Sequence, residues 1–210
     1  MQLIGEVIKL DRGFPLVEIK DGRRFRCEHA TNLVKNGTLR AVIGDKVEVS
    51  LPDGHDVGVI EKSCDRTSTF VRRDPVERAI PQTLAANFDQ VIIAQPVSQL
   101  NLRRLERELV LAHQCNTKVA VVLTKADLAK GGIEQLEEAK DRVCALAGDD
   151  VDVLWMSSDD ADSISRVRAL IAPGTTSILI GKSGVGKSTL INILSGTDSR
   201  ATGEVRLSDG

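Results

Sequence analysis

An apolar segment that runs directly into a glycine-rich loop is the feature that most constrains how this chain can fold. Ser177–Ile180 is the apolar segment, and Gly181 to Thr189 read GKSGVGKST. A buried strand followed by Gly-x-x-x-x-Gly-Lys-Ser predicts a phosphate-binding loop, or P-loop. Such a loop usually opens its domain, whereas here it stands close to Gly210, the last residue. We therefore expect the rest of that domain to precede the loop, to lie beyond Gly210, or both.

The residue types in this loop match the chemistry of a polyphosphate. Glycines let successive backbone N–H groups turn toward phosphate oxygens, and the following helix adds its positive end. Lys187 is expected to contact the β- and γ-phosphates, and the Ser188 hydroxyl to ligate Mg²⁺. The alternative, a strand–helix turn that binds nothing, is disfavoured by the complete motif. The predicted nucleotide-binding residues here are Gly181, Lys182, Ser183, Gly184, Val185, Gly186, Lys187, Ser188 and Thr189.

A second motif, Thr124-Lys125-Ala126-Asp127, follows the apolar segment Val119–Leu123. It is close to the [N/T]-K-x-D element with which GTPases recognise the base. A carboxylate at Asp127 can accept from both guanine N1–H and the exocyclic amino group, and adenine has neither donor at that edge. We expect the Lys125 stem to lie against the base plane. A solvated lysine followed by an Asp helix cap is the alternative.

A third, weaker element is the pair Ser157-Ser158 after the apolar run Val151–Met156. GTPases place a small turn at this point, and a backbone N–H of that turn reaches guanine O6. A polar turn at a strand end is an equally good interpretation, because serine is common in turns.

The hydrophobic pattern divides the chain in two. Five alternating runs before residue 63, one pair joined by Asp21-Gly22, predict a small closed β-barrel, either an OB-fold or an SH3-like barrel. From residue 89 onward, apolar strands alternate with amphipathic helices, which predicts a parallel sheet covered by helices. We predict an OB-like barrel over 1–62, a linker over 63–88 and a permuted, incomplete P-loop GTPase domain over 89–210, a mixed fold. The predicted strands and helices of the last part are Val91–Ala94, Asn101–His113, Val119–Leu123, Ile133–Ala147, Val151–Met156, Ile164–Ile171, Ser177–Ile180 and Lys187–Leu194.

The order of the three motifs explains the late position of the P-loop. Ordinary GTPases run from the P-loop to the base-recognition motif, whereas here the base motif comes first and the P-loop third. This order is typical of a circularly permuted GTPase domain, here preceded by a small barrel.

Together these features resemble the RsgA (YjeQ-type) family of ribosome small-subunit-dependent GTPases. The resemblance rests on the barrel, Val42–Val47, Leu84–Asp89, Arg103–Arg107 and the two motifs TKAD and GKSGVGKST. It implies an OB-fold that contacts ribosomal RNA, and a GTPase that acts late in 30S maturation. It also implies GTP or GDP and Mg²⁺ as ligands, the 30S subunit and 16S rRNA as partners, a cytoplasmic location and no membrane attachment. We expect a monomer.

Two departures from the family pattern matter. Family members continue past the P-loop helix into a switch region, a D-x-x-G motif and a Cys/His zinc module. Thr202–Val205 looks like the start of the switch region, so we expect this chain to be the N-terminal part of a longer protein. The catalytic residues and the zinc site are then expected beyond Gly210. Thr124 replaces the more frequent Asn, which we expect to weaken the bonds between base loop and P-loop.

Composition leaves the nucleic-acid partner open. The formal net charge is −2 and aromatic residues make up 2% of the chain, so neither global charge nor stacking rings indicate RNA binding. Arg23, Arg24 and Arg26 on one hairpin form a candidate RNA-binding patch, and a solvated charged hairpin is the alternative.

Two alternative functions stay open. The sequence from the P-loop to Leu207 also resembles the start of an ABC-type ATPase, although such domains carry no preceding T-K-x-D. The chain by itself could instead be a nucleotide- or RNA-binding fragment without turnover, since hydrolysis needs the D-x-x-G element.

Overall fold

The computed structural model describes residues 2–11, 14–31, 33, 40–52, 57–73 and 81–195. The chain divides into two compact units, Met1–Phe88 and Asp89–Gly210. Thr202–Val205, predicted to begin a switch region, lies outside the described residues.

The first unit contains a closed five-stranded β-barrel. Its strand order is β1-β2-β3-β5-β4, and β1 pairs with β4 to close it. β3 and β5 run parallel, whereas the other neighbours are antiparallel. This Greek-key arrangement is that of an OB-fold, which confirms the predicted barrel and decides against the SH3-like alternative. The strands are β1 (Gln2–Asp11), β2 (Phe14–Ile19), β3 (Arg24–His29), β4 (Lys46–Ser50) and β5 (Val57–Ser63).

Alternating side chains fill the barrel. In β2 every second residue from Pro15 onward is buried, so the apolar alternation seen in the sequence points inward. The predicted hairpin at Asp21-Gly22 is present: Gly22 has φ +84°, and its N–H donates to Ile19 O at 2.9 Å. The barrel core consists of Val7, Val17, Cys27, Ala41, Val47, Val49 and Ile60.

Residues 63–88, predicted to be an irregular linker, contain a two-stranded antiparallel sheet of β6 (Thr69–Arg73) and β7 (Pro81–Ala86). Pro81 is compatible with this sheet because it is the first residue of its strand. The ribbon lies against the turn before β4, where Ala86 N donates to Ile43 O at 3.0 Å. Gly44 allows this approach, since it has φ +88° and a Cβ there would lie 2.0 Å from Ala86 O. The predicted domain boundaries, after residues 62 and 88, stay a prediction.

A buried ion pair fixes the segment after the barrel. Asp45 is fully buried, and Arg66 donates to both of its carboxylate oxygens at 2.7 and 2.6 Å. Asp45 also accepts from Val42 N at 2.8 Å. Bidentate pairing of this kind offsets part of the free-energy cost of burying a carboxylate and a guanidinium.

The second unit is a parallel sheet with helical connections. Its strand order is β10-β9-β8-β11, and all three neighbouring pairs are parallel. Every residue of β8 is buried, as expected for a strand with neighbours on both sides and helices on its faces. The elements are β8 (Gln90–Pro96), α1 (Leu102–His113), β9 (Lys118–Thr124), α2 (Gly132–Ala147), β10 (Asp152–Trp155), α3 (Ala161–Ala169), β11 (Ser177–Ile180) and α4 (Lys187–Ser195).

These elements agree with the predicted ones except at the ends, and α3 differs most. It begins at Ala161 rather than Ile164, because the Asp160 side chain caps it by accepting from Asp162 N. Within the described part of the chain, no helix is long and apolar enough to cross a membrane.

Candidate nucleotide-binding site

Three loops of the second unit lie at the carboxyl edge of its sheet, where α/β proteins bind ligands. The P-loop follows β11, the T-K-A-D loop follows β9, and the Ser157-Ser158 turn follows β10. β8 lies between β9 and β11 in the sheet, so the strands that carry the two main motifs are not neighbours. Contact between these motifs therefore has to pass over the end of β8.

Glycines shape the P-loop. Gly181, Gly184 and Gly186 have φ of +142°, +78° and +99°, which are conformations that side chains with a Cβ rarely adopt. At Gly181 an added Cβ would also lie 2.5 Å from Ala94 O. The loop can therefore pack directly onto the end of β8 only because Gly181 has no side chain.

The Lys187 side chain donates hydrogen bonds to two carbonyls of the P-loop. Its Nζ donates to Gly181 O at 2.7 Å and to Lys182 O at 2.9 Å, so the ammonium lies inside the curve of the loop. Lys182 and Ser183 are exposed on the loop, whereas Val185 is buried beneath it. The helix α4 starts at Lys187, which places exposed Ser188 and Thr189 in its first turn.

Thr124 joins the two motifs. Its side chain is buried, and its Oγ1 donates to Val185 O in the P-loop. The same hydroxyl lies 3.3 Å from Gln95 O at the end of β8. Threonine at this position therefore still supplies a hydrogen bond to the P-loop. The expectation that the connection is weaker than with asparagine stays a prediction.

The next residues of the T-K-A-D loop also face the P-loop side of the sheet edge. Lys125 adopts a left-handed conformation, with φ +58°, and its Nζ donates to Gly184 O at 2.7 Å. Ala126 is buried, and its N–H donates to Met156 O at 3.1 Å. Asp127 is exposed in the short 3₁₀ turn that follows. The Asp127 side chain is thus accessible from solvent, and its contact with a base stays a prediction.

The serine turn is held by a third serine that the sequence analysis did not identify. Ser163 Oγ accepts from Ser157 N at 3.2 Å and donates to Asp160 O at 2.8 Å. Ser157 is buried, and Ser158 is exposed. The Ser157 N–H already donates to Ser163. That a backbone N–H of this turn reaches guanine O6 stays a prediction.

A polar pair of one buried and one half-buried residue lies next to these loops and was missed by the sequence analysis. Gln95 is 2% exposed at the end of β8, and its Nε2 donates to Glu108 Oε2 of α1 at 2.5 Å. Burial raises the pKa of Glu108, while the Gln95 hydrogen bond and nearby Arg104, Lys187 and Arg107 act in the opposite direction. The signal available in the sequence was a carboxylate on the apolar face of a predicted helix.

The candidate RNA-binding arginines belong to the barrel, and each donates to a carboxylate there. Arg23 pairs with Asp21 at 2.8 Å, Arg24 with Glu18 at 2.5 Å and Arg26 with Asp11 at 2.7 Å. Exposed pairs of this kind are weak, so the arginines remain available to a polyanion, although their charge is locally balanced.

An OB-like barrel followed by a sheet whose base loop precedes its P-loop defines a circularly permuted GTPase fold. YloQ, described as a circularly permuted GTPase, has a solved structure that matches 91% of this chain and 64% of its own, with a TM-score of 0.64 and 25% identity. The family model described as RsgA GTPase matches residues 63–210. This chain belongs to the RsgA GTPase family.

Individual relatives agree with this assignment. A small ribosomal subunit biogenesis GTPase RsgA from Streptomyces avermitilis is 37% identical over 210 residues, 99% of this chain and 55% of the relative. The protein of that name from Leptospira interrogans is 32% identical over 170 residues, 80% of this chain and 46% of the relative. The crystal structure of YjeQ from Thermotoga maritima shares the fold, with a TM-score of 0.72 at 24% identity over 92% of this chain and 65% of that one.

The family assignment decides against the ABC-type ATPase alternative. The chain spans about half the length of these curated relatives.

Proposed function

We propose that this chain binds GDP and GTP together with Mg²⁺ at the carboxyl edge of its parallel sheet. The observation that carries this proposal is the direct connection between the base loop and the P-loop. Thr124 and Lys125 both donate to P-loop carbonyls, those of Val185 and Gly184. One ligand can then reach both loops, with its phosphates in the P-loop and its base at Asp127.

Selectivity for guanine would come from Asp127. Its exposed carboxylate can accept two hydrogen bonds from guanine, and adenine would leave it without those donors. A site built to accept hydrogen bonds discriminates strongly against a ligand that lacks the donors. The Lys125 side chain, which extends from the base loop to Gly184, supplies an aliphatic stem for one face of the base.

The phosphates would lie on the P-loop backbone and on Lys187. The residues present suit a magnesium ion, because the Ser188 hydroxyl is a hard oxygen donor in the first turn of α4, next to the phosphate-binding lysine. When bound there, Mg²⁺ would neutralise part of the negative charge of the phosphates.

The reaction and the macromolecular partner follow from the relatives. Their names describe small ribosomal subunit biogenesis GTPases, so we propose GTP hydrolysis to GDP and phosphate in the maturation of the 30S subunit. 16S rRNA would be the contact for the barrel, with Arg23, Arg24 and Arg26 as candidate phosphate ligands. A cytoplasmic monomer fits this role. Zinc would belong to residues beyond Gly210.

The test is a competition experiment against fluorescent GDP with Mg²⁺ present. We expect unlabelled GDP and GTP to displace the probe and ADP to fail at hundredfold higher concentration. Lys187→Ala should lower the GDP affinity by about 10- to 100-fold, the loss expected for hydrogen bonds to a charged group. Lys118→Ala is the matched control, since it removes an exposed lysine at the start of β9, at the opposite edge of the same sheet. Equal competition by ADP, or equal effects of the two substitutions, would contradict the proposal.

A further inference from the structure

The strand β10 forms one edge of the parallel sheet in the second unit. Among the described strands its single neighbour is β9. Met156 N, just after β10, donates to Leu123 O of β9 at 2.8 Å. Because backbone groups alternate in direction along a strand, the N–H and C=O groups of Val153 and Trp155 face away from β9. No hydrogen bond joins these four groups to another residue in the described part of the chain, so β10 presents an unpaired edge.

A groove of about 290 Å³ lies along this edge. Val153 and Leu154 are successive residues of β10 and belong to opposite faces of the sheet, so a groove that both of them line extends across the strand edge. The Arg166 guanidinium carbon lies 4.9 Å from the centroid of the Trp155 ring, a cation–π contact that stabilises the position of the ring. The groove therefore combines apolar walls with free hydrogen-bonding groups of the backbone. Its lining residues are Glu137, Lys140, Val153, Leu154, Trp155 and Arg166.

The elements around the groove are acidic. Residues 132–169, from the start of α2 to the end of α3, carry ten Asp or Glu and four Lys or Arg, a formal charge of −6 compared with −2 for the chain. Of the two cations that line the groove, Lys140 pairs weakly with Glu137 at 3.9 Å, and Arg166 lies on the Trp155 ring. A surface of this sign attracts cationic partners and repels phosphates. The exposed carboxylates close to β10 in sequence are those of Asp149, Asp150, Asp152 and Asp159.

We propose that the unpaired edge of β10 binds a basic, extended polypeptide segment of another protein, which adds a strand to the sheet. The backbone of Val153 and Trp155 offers two donors and two acceptors to the main chain of that segment. The groove would take an apolar side chain of the segment, and the surrounding carboxylates would pair with its lysines or arginines. Nucleic acid is disfavoured at this surface, because its phosphates would meet the same carboxylates.

The experiment titrates the unmodified protein with two eight-residue peptides, one of alternating lysine and valine and the other of alternating glutamate and valine. Trp155 is the single tryptophan of the chain, so its fluorescence reports binding at the groove. Amide hydrogen exchange, measured by NMR, then identifies the mode of binding. The N–H groups of Val153 and Trp155 should exchange more slowly in the complex. The N–H of Leu154, which faces β9 in the free protein, is the internal control.

We expect the lysine peptide to bind about tenfold more tightly than the glutamate peptide at low salt, and added salt should reduce the difference. Asp152→Lys should weaken binding of the lysine peptide by about fivefold, because it reverses a charge on β10 itself. Glu106→Lys makes the same change in charge at an exposed position of α1, which packs on β8 and β9, and should have little effect.

Failure of the lysine peptide to bind, equal affinities of the two peptides, or equal effects of the two substitutions would overturn the inference. Binding that leaves the exchange of the Val153 and Trp155 amides unchanged would also overturn it, because the peptide would then not extend the sheet. The same holds if an oligouridine RNA changes the Trp155 fluorescence at a lower concentration than the lysine peptide does, since the groove would then be a nucleic-acid surface.

Discussion

Replacing Thr124 by valine tests the connection between the base loop and the P-loop. The substitution keeps the shape of the side chain but removes the hydroxyl, which donates to Val185 O. Thr124 as a whole is 1% exposed. The longer contact to Gln95 O, at 3.3 Å, adds little. Leaving a buried carbonyl without its donor costs about 1–3 kcal/mol, so we expect the free energy of unfolding to fall by that amount.

The GDP affinity should fall with it. Without the Thr124 hydroxyl, part of the free energy of GDP binding is used to bring the base loop and the P-loop together. A loss of about 1.4 kcal/mol in binding free energy corresponds to a tenfold weaker affinity. Urea unfolding gives the stability and titration with fluorescent GDP gives the affinity. Thr124→Ser, which keeps the hydroxyl, is the control and should lie close to the unmodified protein in affinity. If valine leaves both quantities unchanged, or if serine is as damaging as valine, the hydroxyl does not make this connection.

Two further predictions concern the barrel unit. His29 Nε2 accepts from a buried backbone N–H at 2.9 Å, and burial, followed by the nearby Arg40, lowers the pKa of His29. Its contribution to stability is therefore present above the ordinary pKa of about 6.5 and lost as the pH falls through the lower folded pKa. The urea midpoint should thus drop from pH 7.5 to pH 5 more in the unmodified protein than in His29→Gln, and equal drops would refute this. Arg66→Met leaves Asp45 buried without its cation and should cost about 3–5 kcal/mol of unfolding free energy; the double variant with Asp45→Asn should recover part of that loss, and a strictly additive loss would contradict the pairing.

The strands and helices of the second unit could be predicted because each has a strong periodic signal. Ser177–Ile180 coincides with β11, and continuous apolar runs mark β8 and β9 because these strands are buried on both faces. The order of motifs along the chain then predicted the permuted fold. Helix ends were harder to place, since the start of α3 depends on a cap at Asp160 rather than on apolar spacing.

The ribbon of β6 and β7 could not be predicted in the same way. Its place depends on the close approach of Gly44 to Ala86, and the segment just before it is held by the pair of Arg66 with Asp45; both contacts join residues that are far apart in sequence. Long-range hydrogen bonds of this kind leave no local pattern.

Part of the candidate site could likewise be predicted from local motifs, and part of it depends on contacts between distant residues. Lys187, Asp127 and the glycines belong to motifs with fixed spacing, so they could be named from the sequence. The bond from Thr124 to Val185 and the pair formed by Gln95 and Glu108 join residues that are distant in sequence. Only the fold brings them together, at the end of β8.

The central claim is that Asp127 and the P-loop form one guanine-nucleotide site. The most direct test is the affinity of Asp127→Asn for GDP and for xanthosine diphosphate, which has an oxygen where guanine has its amino group. Asparagine can donate to that oxygen but cannot accept from the guanine amino group in addition to N1–H. We expect the GDP affinity to fall by about a hundredfold, the equivalent of one or two charge-assisted hydrogen bonds, and the xanthosine diphosphate affinity to rise. Asp141→Asn, an exposed control on α2, should change neither. An Asp127→Asn protein that binds GDP as the unmodified protein does, with no gain for xanthosine diphosphate, would contradict the account.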